Sequence, residues 1–329
     1  MEELKLPTYG GQAVIEGVMM RGKRAVAIAM RAPDKSIIIH EEQLSGIYKS
    51  RLTKIPFLRG LIMLWDALGL GIRALTISAN TQTGEDEKIE GPALFATLLV
   101  ALAFSAGLFF ITPAAVGHLT ERLLTPATPL AASVEDGGST VEAAQTPANA
   151  PLPETTTYFG RAAWLGNFVE GLVRLLILVG YIWAVGRIPD IQRVFAYHGA
   201  EHKTINAFEA GVELTPENVS RFSLEHPRCG TAFLLTLVLI SVLVFALLGP
   251  LPVAWRFASR IVFIPVLAGL AYEYIRWTAG HLNSPIVKLL IRPNLALQRL
   301  TTREPSREML EVSIAAFNTM RNGEREINL

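Results

Sequence analysis

Charged residues, aromatic residues and cysteine are scarce in this sequence. Only 18% of its 329 residues are Asp, Glu, Lys or Arg, 8% are aromatic, and Cys229 is the single cysteine. One cysteine excludes a disulfide within the chain. The net charge is only +1, and no basic stripe with interleaved aromatic residues is present. These absences argue against a nucleic-acid-binding role, and we expect no nucleic-acid partner.

Apolar residues are abundant: they make up 50% of the chain, whose mean hydropathy is +0.35. A helix needs about 20 apolar residues to cross the hydrocarbon core of a membrane, and several stretches reach that length. No secretory signal is visible, because the first long apolar run begins only at residue 93. The composition predicts a mainly α-helical, multi-pass membrane protein whose first span acts as its own insertion signal.

Four transmembrane helices are predicted, at residues 93–119, 164–188, 231–249 and 257–280. The first contains no Asp, Glu, Lys or Arg. The second contains Glu170 and Arg174, which lie four residues apart on one helical face and are predicted to neutralise each other. The third and fourth spans are separated by a short Pro-containing turn, which predicts a hairpin.

Residues 61–92 precede the first span and have a different character. Trp65, Asp66 and Arg73 interrupt the apolar pattern of residues 61–79. An amphipathic or re-entrant helix, followed by a linker, is therefore predicted there.

The distribution of Lys and Arg predicts the orientation. Residues 1–92 contain twelve, 120–163 two, 186–230 five and 280–329 seven. Because Lys and Arg concentrate in cytoplasmic loops, this alternation predicts a protein of the inner (cytoplasmic) membrane with both termini in the cytoplasm. Arg256 and Arg260, at the turn between the last two spans, go against this rule.

The connector of residues 120–163 is rich in Ala, Thr and Pro and has almost nothing that could form a core. A disordered exterior loop without a catalytic role is predicted.

Two cytoplasmic segments are predicted to form a cap over the helices. Residues 1–60 form a β-rich segment in which Gln12–Met20, Ala25–Met30 and Ser36–His40 alternate like the strands of a small β-meander. The tail, residues 281–329, contains a helical pattern from about Ser306 to Asn322. We expect this helix to pack on the sheet.

A candidate metal site lies in the cytoplasmic segment 189–230. His198 and His202 are four residues apart, so on a helix both imidazoles point the same way. His226 and Cys229 follow with a two-residue gap. Three nitrogens and one sulfur suit zinc or another divalent transition metal, and a cytoplasmic thiol stays reduced.

The number of ligands separates the possible roles of this site. Four protein ligands would close the coordination sphere and make the site structural, whereas three would leave a position for chemistry. His198 to His202 also reads H-x-x-E-H, in which Glu201 would act as the catalytic base of a zinc hydrolase. A third interpretation makes Cys229 a nucleophile with a histidine as its base.

Other polar residues are candidates for a pocket or for structural pairs. Glu273 and Arg276 lie three residues apart in the fourth span, and an ion pair between them is predicted because unpaired charges are costly there. Glu16, Arg21 and Glu209 belong to the same cytoplasmic layer and are candidates for lining a pocket.

Three motifs resemble the YqhQ-like family of bacterial membrane proteins, a family of unknown function described as metal-dependent enzymes. They are the opening Gly10-Gly-Gln-Ala-Val-Ile-Glu-Gly-Val-Met-Met-Arg21, His198-Gly-Ala-Glu-His-Lys203 and His226-Pro-Arg-Cys-Gly-Thr231. The resemblance extends from about residue 7 to about residue 299, with the connector 120–163 as an insertion. It implies a metal site on His198, Glu201, His202, His226 and Cys229, and it marks Gln12, Glu16 and Arg21 as opening-motif positions. It implies no substrate.

Two functions remain open from the sequence. The first is a metal-dependent hydrolase, such as a peptidase, acting at the cytoplasmic membrane face with Glu201 as base. The second is a non-catalytic membrane scaffold or transport accessory with a structural zinc. The lipid bilayer is the expected partner. Because four spans are few for a complete pore, the sequence also allows a homo-oligomer or a complex with another membrane protein.

Overall fold

The computed structural model describes residues 9–44, 55–83, 91–125, 155–248 and 251–326. The strands are β1 (Gly10–Val14), β2 (Gly17–Arg21), β3 (Ala25–Arg31) and β4 (Ile37–Gln43). The helices are α1 (Leu58–Thr83), α2 (Gly91–Ala106), α3 (Thr112–Leu124), α4 (Thr155–Val185), α5 (Pro189–Glu209), α6 (Pro216–Val219), α7 (Gly230–Leu247), α8 (Val253–Val262), α9 (Ile264–Ala279), α10 (Pro285–Thr301) and α11 (Arg307–Glu326). A π-helical segment, Gly107–Ile111, joins α2 to α3.

The four strands form an antiparallel meander in the order β1-β2-β3-β4. The predicted single strand Gln12–Met20 is wrong, because Glu16 adopts a left-handed conformation with φ of 52° and reverses the chain between β1 and β2. The alternation of apolar and polar residues continues across this turn. Ile15-Glu16 is also not one of the Asn-Gly or Asp-Gly pairs typical of tight hairpins, so the pattern did not predict the turn. The strand predicted at Ser36–His40 is β4, which extends to Gln43.

Helices cover both faces of the sheet. Val18 and Met20 point to the face where α5 and α11 pack, and Phe317 of α11 is fully buried in that core. Met19 and Ile28 point to the opposite face, where they contact Ala74 of α1. Each fully buried large apolar side chain contributes about 1.5–3 kcal/mol. The C-terminal helix therefore packs on the sheet, as the sequence predicts.

In the described part of the chain, four helical stretches are long and apolar enough to cross a membrane: Leu58–Thr83, Gly91–Leu124, Ala162–Val185 and Gly230–Leu247. The last three overlap the first three predicted spans. The fourth predicted span, 257–280, is instead part of a bent pair, Ala254–Val262 and Ile264–Ala279, with an angle of 42°. Pro265 explains the break, since it has no N–H to continue the hydrogen bonds of α8.

Helix α1 is longer than the predicted amphipathic or re-entrant helix at 61–79 and meets the length and composition of a span. Two of its charged residues, Asp66 and Arg73, nevertheless face the sheet. The Arg21 guanidinium lies 2.8 Å from the Asp66 carboxylate, and Arg73 pairs with Glu42 of β4.

The predicted exterior loop, 120–163, is shorter than expected. Its flanks belong to α3 and α4, whereas residues 126–154 lie outside the described part of the chain. The flanks are helical because α3 and α4 pack closely: a Cβ on Gly117 would lie 2.6 Å from the carbonyl oxygen of Gly166. Composition alone could not reveal this contact, because it depends on two glycines that are distant in sequence.

Ion pairs join the apolar helices to one another. The predicted pair is present, with Arg174 donating to Glu170 at 2.9 Å, but the same carboxylate also accepts two hydrogen bonds from Arg260, at 2.7 and 2.8 Å. Arg256 pairs with Glu121. Arg256 and Arg260 are both buried. They are not charges of an aqueous loop, and the rule for Lys and Arg concerns such loops.

The predicted ion pair between Glu273 and Arg276 is wrong. Glu273 accepts a hydrogen bond of 2.7 Å from Arg59 of α1, while Arg276 is exposed. The reason is the contact between α1 and α9, where a Cβ on Gly60 would lie 2.9 Å from the Tyr272 side chain. The packing of α1 on α9 thus brings Arg59 to the Glu273 carboxylate, although Arg276 is nearer in sequence.

Candidate metal centre

Helix α5 carries the H-x-x-E-H motif on a buried segment. The helix starts at Pro189, whose ring suits the first helical turn, and Gly211 with φ of 71° lies just beyond its end. His202 and Glu201 are buried, and His198 is partly buried. The 3.6-residue period brings the rings of His198 and His202 to a centroid separation of 4.4 Å.

His198 is oriented by the last residue of α10. Its Nδ1 donates to the carbonyl oxygen of Thr301 at 2.8 Å. Gly199 makes this approach possible, because a Cβ there would lie 2.1 Å from the carbonyl oxygen of Arg303. With the proton on Nδ1, the Nε2 atom of His198 is free to bind a cation.

His202 is oriented in the same manner by a second carbonyl. Its Nδ1 donates to the carbonyl oxygen of Leu224 at 2.5 Å. Its Nε2 is buried and has no hydrogen-bond partner among the residues described. A buried ring nitrogen without a partner is costly, and a bound metal ion would satisfy it.

Cys229 supplies the sulfur from the first turn of another helix. It is the N-cap of α7, where its Sγ accepts from the Thr231 N–H at 3.4 Å. The Sγ atom lies 3.2 Å from Nε2 of His198. The N-terminus of a helix favours negative charge, which suits a thiolate at this position.

Together, His198, His202 and Cys229 form one donor cluster. Their ligand atoms all lie within 4.8 Å of one another. This donor set fits a borderline-soft transition metal such as zinc. It offers two imidazoles whose Nδ1–H groups are held by carbonyls, one Nε2 without a hydrogen-bond partner among the described residues, and one sulfur at a helix N-terminus.

His226, the fourth predicted ligand, is not brought into this cluster. Its ring centroid lies 5.7 Å from that of His202, and its Nε2 faces the Glu209 carboxylate at 3.7 Å. Glu209 also pairs with Arg228. Gln298 holds the backbone of His226 through two hydrogen bonds of 2.9 Å. His226 and Glu209 therefore belong to an adjoining polar group, because the loop before Cys229 turns His226 away.

Glu201, the predicted base, lies beside the donor cluster. One of its carboxylate oxygens is 3.9 Å from Nε2 of His198. Burial raises the pKa of the Glu201 carboxyl to about 7, although His198 and a hydrogen bond from the Gly11 N–H act in the opposite direction. Strand β1 thus supplies a donor that orients this carboxylate.

Gly11 can occupy this position because it has no side chain. A Cβ there would lie 2.8 Å from Cγ of Glu201 and 2.7 Å from the carbonyl oxygen of Met19. We expect Gly11→Ala to destabilise the protein by ~1–3 kcal/mol through overpacking and to reduce metal binding. Gly10→Ala is the matched control, since a Cβ at Gly10 meets nothing within 4 Å. Thermal unfolding and metal content of both variants check this, and equal behaviour would contradict it.

The remaining opening-motif residues contact two helices beside the sheet, α1 and α5. Glu16 accepts from Arg193 at 2.5 and 2.6 Å, and this hydrogen bonding holds the pKa of its carboxyl below the usual value. Arg21 pairs with Asp66, as described above. The Gln12 amide fits against Gly71, where a Cβ would lie 2.5 Å from its oxygen.

Comparison with known proteins gives a family but no activity. The family described as "Protein of unknown function (DUF1385)" matches residues 55–322. The chain is 32% identical to "Uncharacterized protein YqhQ" of Bacillus subtilis (strain 168), over 95% of this chain and 92% of that protein. The chain belongs to this family. No solved structure matches it. The predicted family resemblance is confirmed.

Several residues of the site gave no signal in the sequence of this family member. Gln298 is one of several polar residues on α10, and Thr301 acts through its backbone carbonyl. The role of Gly11 also depends on a distant contact. The sequence contains two signals for these contacts: the glycines of the opening motif and the glycine of the H-G-x-E-H motif. Glycine allows another backbone segment to approach closely.

Proposed function

We propose that this chain is a multi-pass membrane protein with a metal-dependent hydrolase site at the cytoplasmic membrane face. The observation that carries the proposal is the combination of three clustered donors, from His198, His202 and Cys229, with the Glu201 carboxylate beside them. Three protein ligands leave a coordination position for chemistry, and a nearby carboxylate is the usual base of zinc hydrolases.

The contacts of the sheet support two crossings before α5 and two more, Gly230–Leu247 and the bent pair, between α5 and α11. The sheet packs against α5 and α11, so all three lie on one side of the membrane. An even number of crossings must therefore separate the sheet from α5. Between them lie α1, the helix Gly91–Leu124 and α4. If the latter two cross, α1 does not, and its ion pairs with the sheet support a position at the membrane surface.

Fusions at two positions test this topology. Because Lys and Arg are enriched in the segments that contain the sheet, α5 and α11, these segments belong to the cytoplasm. A green fluorescent protein fused after Leu329 is expected to fluoresce, whereas alkaline phosphatase fused there is expected to be inactive. Phosphatase inserted between residues 126 and 154 is expected to be active. The reverse result at either position would contradict the proposed orientation.

The residues around the donor cluster suit hydrolysis of a carbonyl compound. A bound divalent metal would supply Lewis acidity that polarises a carbonyl and makes water more acidic. Glu201 is placed to accept a proton from the attacking water and to return it to the leaving nitrogen or oxygen. The Gly11 N–H holds the carboxylate in position. The Thr301 and Leu224 carbonyls hold the two imidazoles with Nδ1 protonated.

A second candidate is a structural metal that joins the cytoplasmic layer to the helices. The observation in its favour is burial: His202, Glu201 and Cys229 are all buried. The donors also come from α5 and from the start of α7, so one ion would join these two helices, while Thr301 at the end of α10 holds His198.

A further inference from the structure

A second charged cluster lies far from the metal centre, among α3, α4, α7 and α8. Arg174 donates to Ser241 of α7 at 3.3 Å. Ser241 lies twelve residues after Cys229, so it stands roughly 18 Å further along the chain of α7. The cluster uses none of the residues of the proposed hydrolase site.

Positive charge exceeds negative charge in this cluster. Among the residues that the structure describes, it contains three arginines, Arg174, Arg256 and Arg260, and two carboxylates, Glu121 and Glu170. The three arginines are 5%, 2% and 3% exposed, and Glu170 is 1% exposed. Glu170 is shared by Arg174 and Arg260, so the described side chains of the cluster carry one net positive charge. Because buried charge is costly, one further anion would balance them.

Arg256 has an unused donor. Its Nη2 pairs with Glu121, and its Nη1 lies 3.5 Å from Nδ1 of His118. Its Nε is buried and has no hydrogen-bond partner within the described ranges. By contrast, the Nε, Nη1 and Nη2 atoms of Arg260 all have partners, and its guanidinium also lies 4.0 Å from the centre of the Phe245 ring. The available donor is therefore at Arg256.

The position of Arg256 suits an anion at a membrane surface. It is near the start of the bent pair that begins at Ala254, and its partner Glu121 is near the end of the helix Gly91–Leu124. Its neighbours Trp255, Ile261 and Val262 on α8 are exposed. An exposed tryptophan beside inward-facing arginines is typical of a helix at the membrane–water interface, the level of lipid phosphates.

We propose that Arg256 forms, with His118 and Glu121 beside it, a binding site for a phosphate group. Phosphate oxygens accept hydrogen bonds from guanidinium groups and supply the missing negative charge. The group is that of an anionic lipid or of free phosphate, and both have the same chemistry at this site.

Thermal unfolding of the full chain in detergent tests the proposal. Three conditions are compared at equal ionic strength: mixed micelles with phosphatidylglycerol, mixed micelles with phosphatidylcholine, and inorganic phosphate against chloride. We expect phosphatidylglycerol to raise the Tm of the wild type by more than about 2 °C relative to phosphatidylcholine. An equal rise in Tm with inorganic phosphate relative to chloride assigns the site to free phosphate. A rise in Tm with phosphatidylglycerol alone assigns it to the lipid.

Three variants keep the test independent of folding. Arg256→Gln is expected to lose most of the ligand-dependent rise, whatever its own baseline Tm. Glu121→Gln removes a competing carboxylate and is expected to enlarge the rise, which a merely damaged cluster would not do. Arg122→Gln, at an exposed arginine of α3, is expected to retain it. No rise in the wild type, an equal loss in Arg122→Gln and Arg256→Gln, or a loss in Glu121→Gln would overturn the proposal.

Discussion

Replacing His202 with glutamine is expected to abolish stoichiometric metal binding, whereas the same substitution at His226 leaves it intact. Both rings are buried and their centroids are only 5.7 Å apart, but only His202 contributes to the donor cluster. Loss of a direct ligand should lower the metal affinity by more than the roughly 10–100-fold that outer-shell changes cause. Elemental analysis of the purified variants, after dialysis against a weak chelator, measures the difference.

Equal metal loss in both variants would show that His226 is a fourth ligand and that the closed, structural site is correct. Full retention of the metal by His202→Gln would exclude the proposed metal site. Circular dichroism of each variant is the control for folding, since His226→Gln also disturbs the contact with Glu209 and Arg228.

Replacing Glu201 with glutamine is expected to retain the metal and to lose hydrolytic activity. The amide keeps the shape of the carboxyl group but cannot accept the proton of the attacking water. General-base catalysis contributes about 10²–10⁴-fold, so a loss of at least ~100-fold is expected. The measurement is the turnover of a panel of chromogenic esters and fluorogenic peptides by zinc-loaded protein.

Glu209→Gln is the matched control, because Glu209 lies on the same helix and faces His226 rather than the donor cluster. Its turnover is expected to stay within about tenfold of the wild type, well short of the loss a general base causes. Equal turnover in Glu201→Gln and wild type, at equal metal content, would exclude Glu201 as the base. Wild-type turnover no greater than that of Cys229→Ser would exclude the hydrolase.

The structural alternative predicts a different pattern for the same proteins. If the ion only joins α5 to α7, Cys229→Ser and chelation should both lower the Tm, while Glu201→Gln should change little. The two accounts thus differ in which substitution matters for stability and which for turnover.

The features that the sequence predicted well are local ones. Long apolar runs located the helices that include Ala162–Val185 and Gly230–Leu247, and alternation located β3 and β4. The four-residue spacing of His198 and His202 correctly placed both rings on one helical face. Each of these depends on neighbours within one or two turns of the chain.

The features that the sequence missed depend on contacts between distant segments. Gly199 matters because the backbone of Arg303 passes over it, and Glu273 finds Arg59 because α1 packs on α9. The spacing of His226 and Cys229 suggested two ligands, but Gln298 holds the loop so that only the sulfur joins the cluster. Periodicity carries no information about such approaches.

The most direct measurement is X-ray absorption at the zinc edge of the detergent-purified full chain, with the metal content per chain determined in the same sample. The account predicts one zinc with two nitrogen ligands and one sulfur ligand from the protein, and an oxygen in the fourth position. Three nitrogens and one sulfur would contradict the open site, and the absence of any bound metal would contradict the metal centre itself.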